Sequence, residues 1–287
     1  MKKLPLPTMS FSTALSAVIS GVADPASGEL YTSSLADPFT IEEEYARYAA
    51  AADLYLLPRV TGTDDPIVFG GLVRSQLTKF YTQYFVPKGK PGRKLYDEIK
   101  NSAHGKCPLC GGVGQVGTLD HYLPKANVPL YSVMPANLVP CCRDCNSEKL
   151  NAFSLTGREQ TLHPYFDQDR FFTDKWISAR VIPQMPPVLE YFVSPPAHWH
   201  PDDKQRVQSH FDGYRLADKF SIEAAADIPE TILTRKTTMK DSSGSDFRSY
   251  LMEKGNNTSL PINNWRRVMF NSLSSDAWFC VQSFARV

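Results

Sequence analysis

Two Cys-x-x-C pairs constrain the fold of this chain more than any other feature of its sequence. The pairs are Cys107/Cys110 and Cys142/Cys145, and thirty-one residues separate the first pair from the second. A Cys-x-x-C turn directs two sulfurs towards one point, and two such turns complete the tetrahedral four-sulfur site that suits zinc. We therefore predict that these four thiolates hold a structural Zn²⁺.

Two further cysteines lie outside the pairs. Cys141 directly precedes Cys142, but only Cys142 has the two-residue gap to Cys145. Cys141 is therefore predicted to pack beside the metal site without binding the metal, and Cys280 lies alone near the C-terminus. A thioredoxin-like redox pair is the alternative, and it is disfavoured because two separated pairs are present without an obvious βαβ unit. Thiols clustered at metal-ligand spacing predict a reduced, cytoplasmic protein.

The composition excludes several classes of protein. With 287 residues, 42% hydrophobic and 21% charged, the chain is long and apolar enough to bury a substantial core. Its net charge of +1 provides no overall field for a polyanion, so nucleic-acid binding must use local basic clusters. The N-terminal stretch is faintly similar to a signal peptide, but Pro5 and Pro7 interrupt it. No run approaches the ~18 apolar residues of a membrane span, so no membrane association is expected.

The pattern of apolar residues predicts an α+β fold with helices on both sides of the cysteine-rich stretch. We expect a helical N-terminal region over residues 1–103, a zinc-stabilised core over 104–167 and a mixed C-terminal region over 168–287. Thr40 is the predicted N-cap of the first clear helix, with Glu43 three residues later as in a capping box. The helices predicted before the core cover residues 40–57, 68–85 and 95–103.

The C-terminal region is predicted to begin with strands and to continue with helices. Residues 176–194 alternate enough to indicate two strands around a proline-rich turn. The helices predicted after them cover residues 202–212, 221–228, 248–253 and a last segment that Asn263 or Asn264 caps.

The segment between the cysteine pairs carries the residues with catalytic potential. Thr118–Tyr122 and Leu138–Pro140 are predicted strands, and Asn146–Lys149 opens a helix. Adjacent residues of a strand point to opposite sides, which separates Asp120 from His121. A carboxylate is a hard oxygen ligand for Mg²⁺, and a neutral imidazole activates water, so this pairing suits a nuclease.

The same stretch resembles the HNH endonuclease family, in the subgroup with two zinc knuckles. In that family an Asp-His pair lies on the first strand, an Asn-Leu step precedes the second strand, and His or Asn follows the last cysteine. The matching residues here are Asp120-His121, Asn137-Leu138 and Cys145-Asn146. The resemblance covers residues 107–149 alone and implies a ββα-metal core.

The resemblance implies a role for each matching residue. His121 is expected to be the general base for the attacking water, and Asp120 and Asn146 are expected to bind one catalytic divalent metal. Asn137 is expected to orient the loop, and so the imidazole, through hydrogen bonds to the backbone. Asn rather than His at position 146 favours Mg²⁺ or Mn²⁺. The implied activity is hydrolysis of phosphodiester bonds in DNA, and the sequence leaves RNA open as the substrate.

Some basic residues and histidines near the core are weaker candidates. Lys125, Arg143 and Lys149 are predicted to contact a nucleic-acid backbone, with an ordinary solvated surface as the alternative for each. His163 is predicted to be a hydrogen-bonded structural histidine, with an approach to the site as the alternative. His198 and His200 are predicted to lie in a surface loop, with a metal-binding pair as the alternative.

Two other functions remain open at this point. One is a zinc-stabilised module that binds nucleic acid or protein without catalysis, and the presence of Asp120, His121 and Asn146 in register counts against it. The other is an effector of an anti-phage or toxin system, similar in size and layout to known HNH effectors, that a partner ATPase or sensor restrains. The flanking helices predicted over residues 40–57 and 263–274 offer surface for such a partner.

Overall fold

Helices provide most of the regular structure in residues 1–149 and 153–284, which are the residues that the computed structural model describes. The strands among them form three separate two-stranded antiparallel sheets. The fold is therefore mixed α+β, as the sequence predicts. The chain divides into two units. The first comprises Lys3–Pro108 and Gly114–Asp167, and the second begins at Gln168 and includes Met1–Lys2 and Leu109–Val113.

The first unit opens with three helices whose starts are set by side-chain caps. Ser10, Asp24 and Asp37 each accept a hydrogen bond from the backbone N–H three residues later, which satisfies an otherwise unpaired donor of the first turn. The prediction that Thr40 caps the third helix is wrong, because Asp37 takes that role and Pro38 suits the first turn. The helices are α1 (Phe11–Ser20), α2 (Pro25–Ser34) and α3 (Pro38–Ala50).

The helix predicted over residues 68–85 is wrong at its start. Gly70 and Gly71 have φ of 55° and 85°, left-handed conformations that glycine adopts easily and that a tight hairpin turn requires. A short antiparallel hairpin therefore precedes the helix, which begins only at Arg74. The elements of this stretch are β1 (Ile67–Phe69), β2 (Leu72–Val73), α4 (Arg74–Lys79), a π-helical segment (Phe80–Phe85) and α5 (Gly92–Asn101).

The cysteine-rich stretch contains the second sheet of the first unit. Both predicted strands are confirmed, as β3 (Thr118–His121) and β4 (Leu138–Cys141), and they pair antiparallel with His121 opposite Leu138. The connection between them contains two short 3₁₀ turns, Pro129–Tyr131 and Pro135–Asn137. The predicted helix follows as α6 (Arg143–Lys149).

The second unit consists of one hairpin and a set of helices around an aromatic core. The two strands predicted within residues 176–194 are confirmed, and Ile177 pairs with Val193 at the open end of their ladder. Trp176, Phe220, Phe247 and Phe279 are fully buried. The elements are α7 (Arg170–Thr173), β5 (Ile177–Ile182), β6 (Val188–Val193), α8 (Pro201–Gly213), α9 (Leu216–Lys236), α10 (Gly244–Gly255), α11 (Trp265–Ser275) and α12 (Ala277–Val281).

The helices of the second unit are longer than the sequence predicts. The segment predicted over residues 221–228 is the centre of α9, which continues through Pro229. Asn264 caps α11 by accepting a hydrogen bond from the Arg266 backbone N–H, which confirms one of the two predicted caps. None of the helices among the described residues is both long enough and apolar enough to cross a membrane.

A buried histidine lies in the core of the second unit. His210 has no solvent exposure, and its Nε2 donates a hydrogen bond of 2.9 Å to the carbonyl oxygen of Leu109. Burial lowers the pKa of His210 to about 3, and the carbonyl of Leu109 opposes that shift only in part. In the folded protein the imidazole therefore stays neutral through the pH range in which an exposed histidine becomes protonated.

Replacement of His210 by Gln is expected to remove part of the acid sensitivity of the second unit. The unfolded chain takes up a proton below pH ~6.5, whereas folded His210 remains neutral down to its pKa of about 3. The free-energy advantage of the wild type over His210→Gln should therefore shrink by about 2 kcal/mol between pH 7.5 and pH 5. Urea unfolding followed by tryptophan fluorescence measures this, because all four tryptophans belong to the second unit. A difference that is independent of pH would contradict the prediction.

Candidate functional site

Four buried cysteines form a cluster that fits a metal ion. The Sγ atoms of Cys107, Cys110, Cys142 and Cys145 all lie within 4.8 Å of one another. Tetrahedral zinc with Zn–S bonds of about 2.3 Å requires sulfurs about 3.8 Å apart, so small side-chain adjustments complete the coordination. The Cys145 backbone N–H also approaches the Cys142 sulfur at 3.5 Å. The four sulfurs are therefore suited to a metal such as zinc, in the register that the sequence predicts.

Cys141 lies outside this cluster. It is the last residue of β4, where it pairs with Thr118, and its side chain is fully buried. Cys141 is not among the four cysteines whose sulfurs come together. The geometry therefore agrees with the prediction that Cys141 packs without joining the four ligands.

A pocket of about 330 Å³ lies beside β3 and the middle of α6. The pocket is lined by three of the residues that are predicted to be catalytic, Asp120, His121 and Asn146, and by Lys125. Arg143 is exposed and is not among the lining residues. The complete lining consists of Tyr81, Thr118, Leu119, Asp120, His121, Pro124, Lys125, Asn146 and Ser147.

The hydrogen bond of His121 sets the tautomer of its ring. Nε2 lies 2.8 Å from the carbonyl oxygen of Ser132, and a carbonyl oxygen can only accept, so Nε2 carries the hydrogen. Burial lowers the pKa of His121 to about 3, and the positive charges of Lys125 and Lys149 add to that shift. The imidazole is therefore neutral at physiological pH, and its lone pair is on Nδ1.

The ring of Tyr81 supports His121 from one side. The two ring centroids are 4.3 Å apart in an edge-on arrangement, and the Tyr81 hydroxyl donates to the carbonyl oxygen of Leu119. Lys125 lies half-buried with its Nζ 5.5 Å from the centre of the Tyr81 ring. One aromatic ring therefore contacts both the imidazole and the ammonium group that line the pocket.

Asp120 and Lys149 form a buried ion pair. Asp120 is 6% exposed and Lys149 is 8% exposed, and Nζ lies 2.6 Å from Oδ2. The same ammonium donates to the backbone carbonyl oxygen of His121. Burial raises the pKa of the Asp120 carboxyl, and the charge of Lys149 acts against that rise. Lys149 is thus engaged inside the chain, although the sequence indicates a contact to nucleic acid from the surface.

Asn137 holds the loop that connects β3 to β4. Its Nδ2 donates to the carbonyl oxygens of Leu123 and Tyr131, both at 3.1 Å, and its Oδ1 accepts from the Leu123 backbone N–H at 2.7 Å. Its own carbonyl oxygen accepts from the Tyr122 backbone N–H at 2.8 Å. One fully buried amide therefore fixes both ends of the loop that follows His121.

A chain of hydrogen bonds reaches Asn137 through Tyr45, a residue that the sequence analysis does not single out. Tyr45 Oη lies 3.0 Å from Asn137 Oδ1 and 3.3 Å from His163 Nε2. An amide oxygen can only accept, so the Tyr45 hydroxyl donates to Asn137 and accepts from His163 Nε2–H. His163 Nδ1 then accepts from the Tyr165 backbone N–H at 3.3 Å. His163 is therefore a structural histidine, as the sequence predicts, and its contact with Tyr45 could be found only from the fold.

The fold and the site together define an α+β protein with a buried cluster of four cysteines that could bind a metal such as zinc. The chain is 33% identical, over an alignment 292 positions long, to "Protein ea31" of Escherichia phage lambda. The alignment covers 97% of this chain and 99% of the phage protein. The chain therefore belongs to the family of that phage protein. No protein-family model matches the chain, and no solved structure matches it.

Proposed function

We propose that this chain is an HNH-type, metal-dependent endonuclease that hydrolyses phosphodiester bonds in DNA. The observation that carries the proposal is the pocket of about 330 Å³ that Asp120, His121 and Asn146 line together. The strand β3 supplies Asp120 and His121 and the helix α6 supplies Asn146, with β4 between them in the chain, which is the order that the resemblance to HNH endonucleases implies.

The tautomer of His121 supports its role as the general base. Because Nε2 donates to the Ser132 carbonyl, Nδ1 is the nitrogen that can take a proton from water. The water oxygen bonds to phosphorus as that proton moves to Nδ1, and the bond from phosphorus to the leaving sugar oxygen breaks. An anionic phosphate beside the ring stabilises the imidazolium that forms, which raises the low pKa of the free site.

The donor set of the pocket suits a hard divalent cation. Asp120 offers carboxylate oxygens and Asn146 an amide oxygen, and Mg²⁺ and Mn²⁺ prefer such oxygen ligands over nitrogen or sulfur. The ion pair with Lys149 uses Oδ2 of Asp120, which leaves Oδ1 as the second oxygen. A bound divalent cation would supply charge stabilisation at the phosphate and the leaving oxygen.

The position of Lys125 favours an anionic substrate in the pocket. Its ammonium lines the same pocket as His121 and rests against the Tyr81 ring, so its charge is directed at the place where a phosphate would lie. Arg143 is exposed on α6 outside the pocket, where it is suited only to a contact further along a nucleic-acid backbone.

Cleavage of defined nucleic acids by the purified protein tests the proposal. Plasmid, linear duplex, single-stranded DNA and RNA are each incubated with Mg²⁺, with Mn²⁺ and with a chelator, after zinc content has been confirmed. The proposal predicts cutting of at least one DNA substrate that depends on the added metal. Tight binding of nucleic acid without any cutting would instead support the non-catalytic, zinc-stabilised module.

A further inference from the structure

The ammonium group of Lys149 is buried and is held by specific partners within the protein. Lysine is rarely fully buried, because removal of its charge from water is costly unless partners replace the water. Here the ammonium has three such partners: Asp120 Oδ2, the carbonyl oxygen of His121 and the face of the Tyr122 ring, whose centre is 5.5 Å away. All three partners belong to β3 or to the residue that follows it.

The position of Lys149 on α6 links it to the proposed catalytic metal site. Asn146 and Lys149 are three residues apart, so both side chains lie on one side of the helix. Cys142 and Cys145 hold the start of α6 at the cysteine cluster, and the Lys149–Asp120 ion pair holds its other end against β3. Asn146 is therefore fixed between two attachments, facing the strand that carries Asp120.

We infer that Lys149 is a positioning residue for the catalytic divalent metal, an inference that rests on the proposed nuclease function. Its ammonium holds one oxygen of Asp120, directs the other to the metal and sets the separation of Asp120 and Asn146. Its positive charge also repels the metal, because both cations share one carboxylate. Lys149 thus weakens metal binding but fixes the positions of Asp120 and Asn146 relative to each other.

A Lys149→Met variant separates these two effects. Methionine is a flexible apolar side chain of comparable length, so it fills the volume without charge. Without Lys149, an added dication becomes the counter-charge of the buried Asp120 carboxylate, so Mn²⁺ should bind at least ~10-fold more tightly. The carboxylate is then no longer fixed, so kcat should fall at least ~10-fold while KM for DNA changes little. Free Mn²⁺ measured by electron paramagnetic resonance gives the affinity without nucleic acid.

Matched variants distinguish this inference from general damage and from failure of the proposed function. Lys79→Met makes the same change at an exposed lysine of the first unit outside the pocket, and it should leave Mn²⁺ affinity unchanged. Asp120→Asn should abolish specific Mn²⁺ binding. If wild-type protein shows no Mn²⁺ binding that depends on Asp120, the proposed function fails.

The remaining outcomes decide the role of Lys149 itself. Tighter Mn²⁺ binding together with slower turnover, at wild-type zinc content, supports it. Weaker or unchanged Mn²⁺ affinity in Lys149→Met, or unchanged turnover, overturns it while the proposed function stands. Loss of zinc and helix content in Lys149→Met would also overturn it, because the residue would then serve folding alone.

Discussion

A Cys142→Ser variant is expected to lose its bound zinc and to unfold the region around β3, β4 and α6. The local structure is too small to be stable alone, because a two-stranded sheet of four-residue strands and a helix of seven residues are marginal in water. The cysteine cluster joins the turn at Cys107–Cys110 to the start of α6, so its loss removes the main constraint on this region. Structural zinc sites contribute on the order of 10 kcal/mol or more to folding.

Zinc analysis and hydrogen exchange measure the two parts of this result. Zinc bound per chain should fall well below the wild-type value, and backbone amides of β3 and β4 should exchange as in an unfolded segment. Cys141→Ser is the matched control, because it makes the same change one position earlier in a buried residue outside the cluster. That variant should keep its zinc. Equal loss of zinc from both variants would mean that the register assigned to the second pair is wrong.

The cysteine cluster could be predicted because its geometry is mostly local. A two-residue gap within each pair determines where the sulfurs point, and only the meeting of the two pairs depends on the fold. The strands β3 and β4 could be predicted for a similar reason, since both lie in the segment between the two Cys-x-x-C turns, whose ends the cysteines bring together. The glycine pair at Gly70-Gly71 is a turn signal that could have predicted the hairpin, but the helical spacing of Leu72, Gln76, Phe80 and Tyr84 favoured a continuous helix.

The contacts that complete the candidate site could not be predicted, because they join distant parts of the chain. Tyr45 and Asn137 are 92 residues apart, and Tyr45 and His163 are 118 apart. Nothing local marks a tyrosine in an alanine-rich helix as the donor to a loop amide. The burial of Lys149 could not be predicted either. A lysine at the end of a short helix is typical of a surface, and only packing against β3 buries this one.

A His121→Ala variant is expected to lose cleavage by a factor of about 10²–10⁴ while it retains zinc, fold and divalent-metal binding. That range is the usual contribution of a positioned general base. The substitution leaves the proposed metal ligands Asp120 and Asn146 in place, and the cysteine cluster uses no atom of His121. The cost to folding comes from the Ser132 carbonyl oxygen, which loses its hydrogen bond of 2.8 Å, and from the lost packing of the imidazole against the Tyr81 ring, and it is on the order of a few kcal/mol.

Chemical rescue distinguishes loss of the base from loss of structure. Removal of the imidazole leaves space beside a pocket of about 330 Å³, so added imidazole can enter and take the proton in place of Nδ1. Cleavage by His121→Ala should therefore rise with imidazole concentration and with the neutral fraction of the added base. His198→Ala removes an exposed histidine of the second unit and should cleave as the wild type does, with no response to imidazole. If His121→Ala, with wild-type zinc content, cuts DNA within a few-fold of the wild type, another group activates the water.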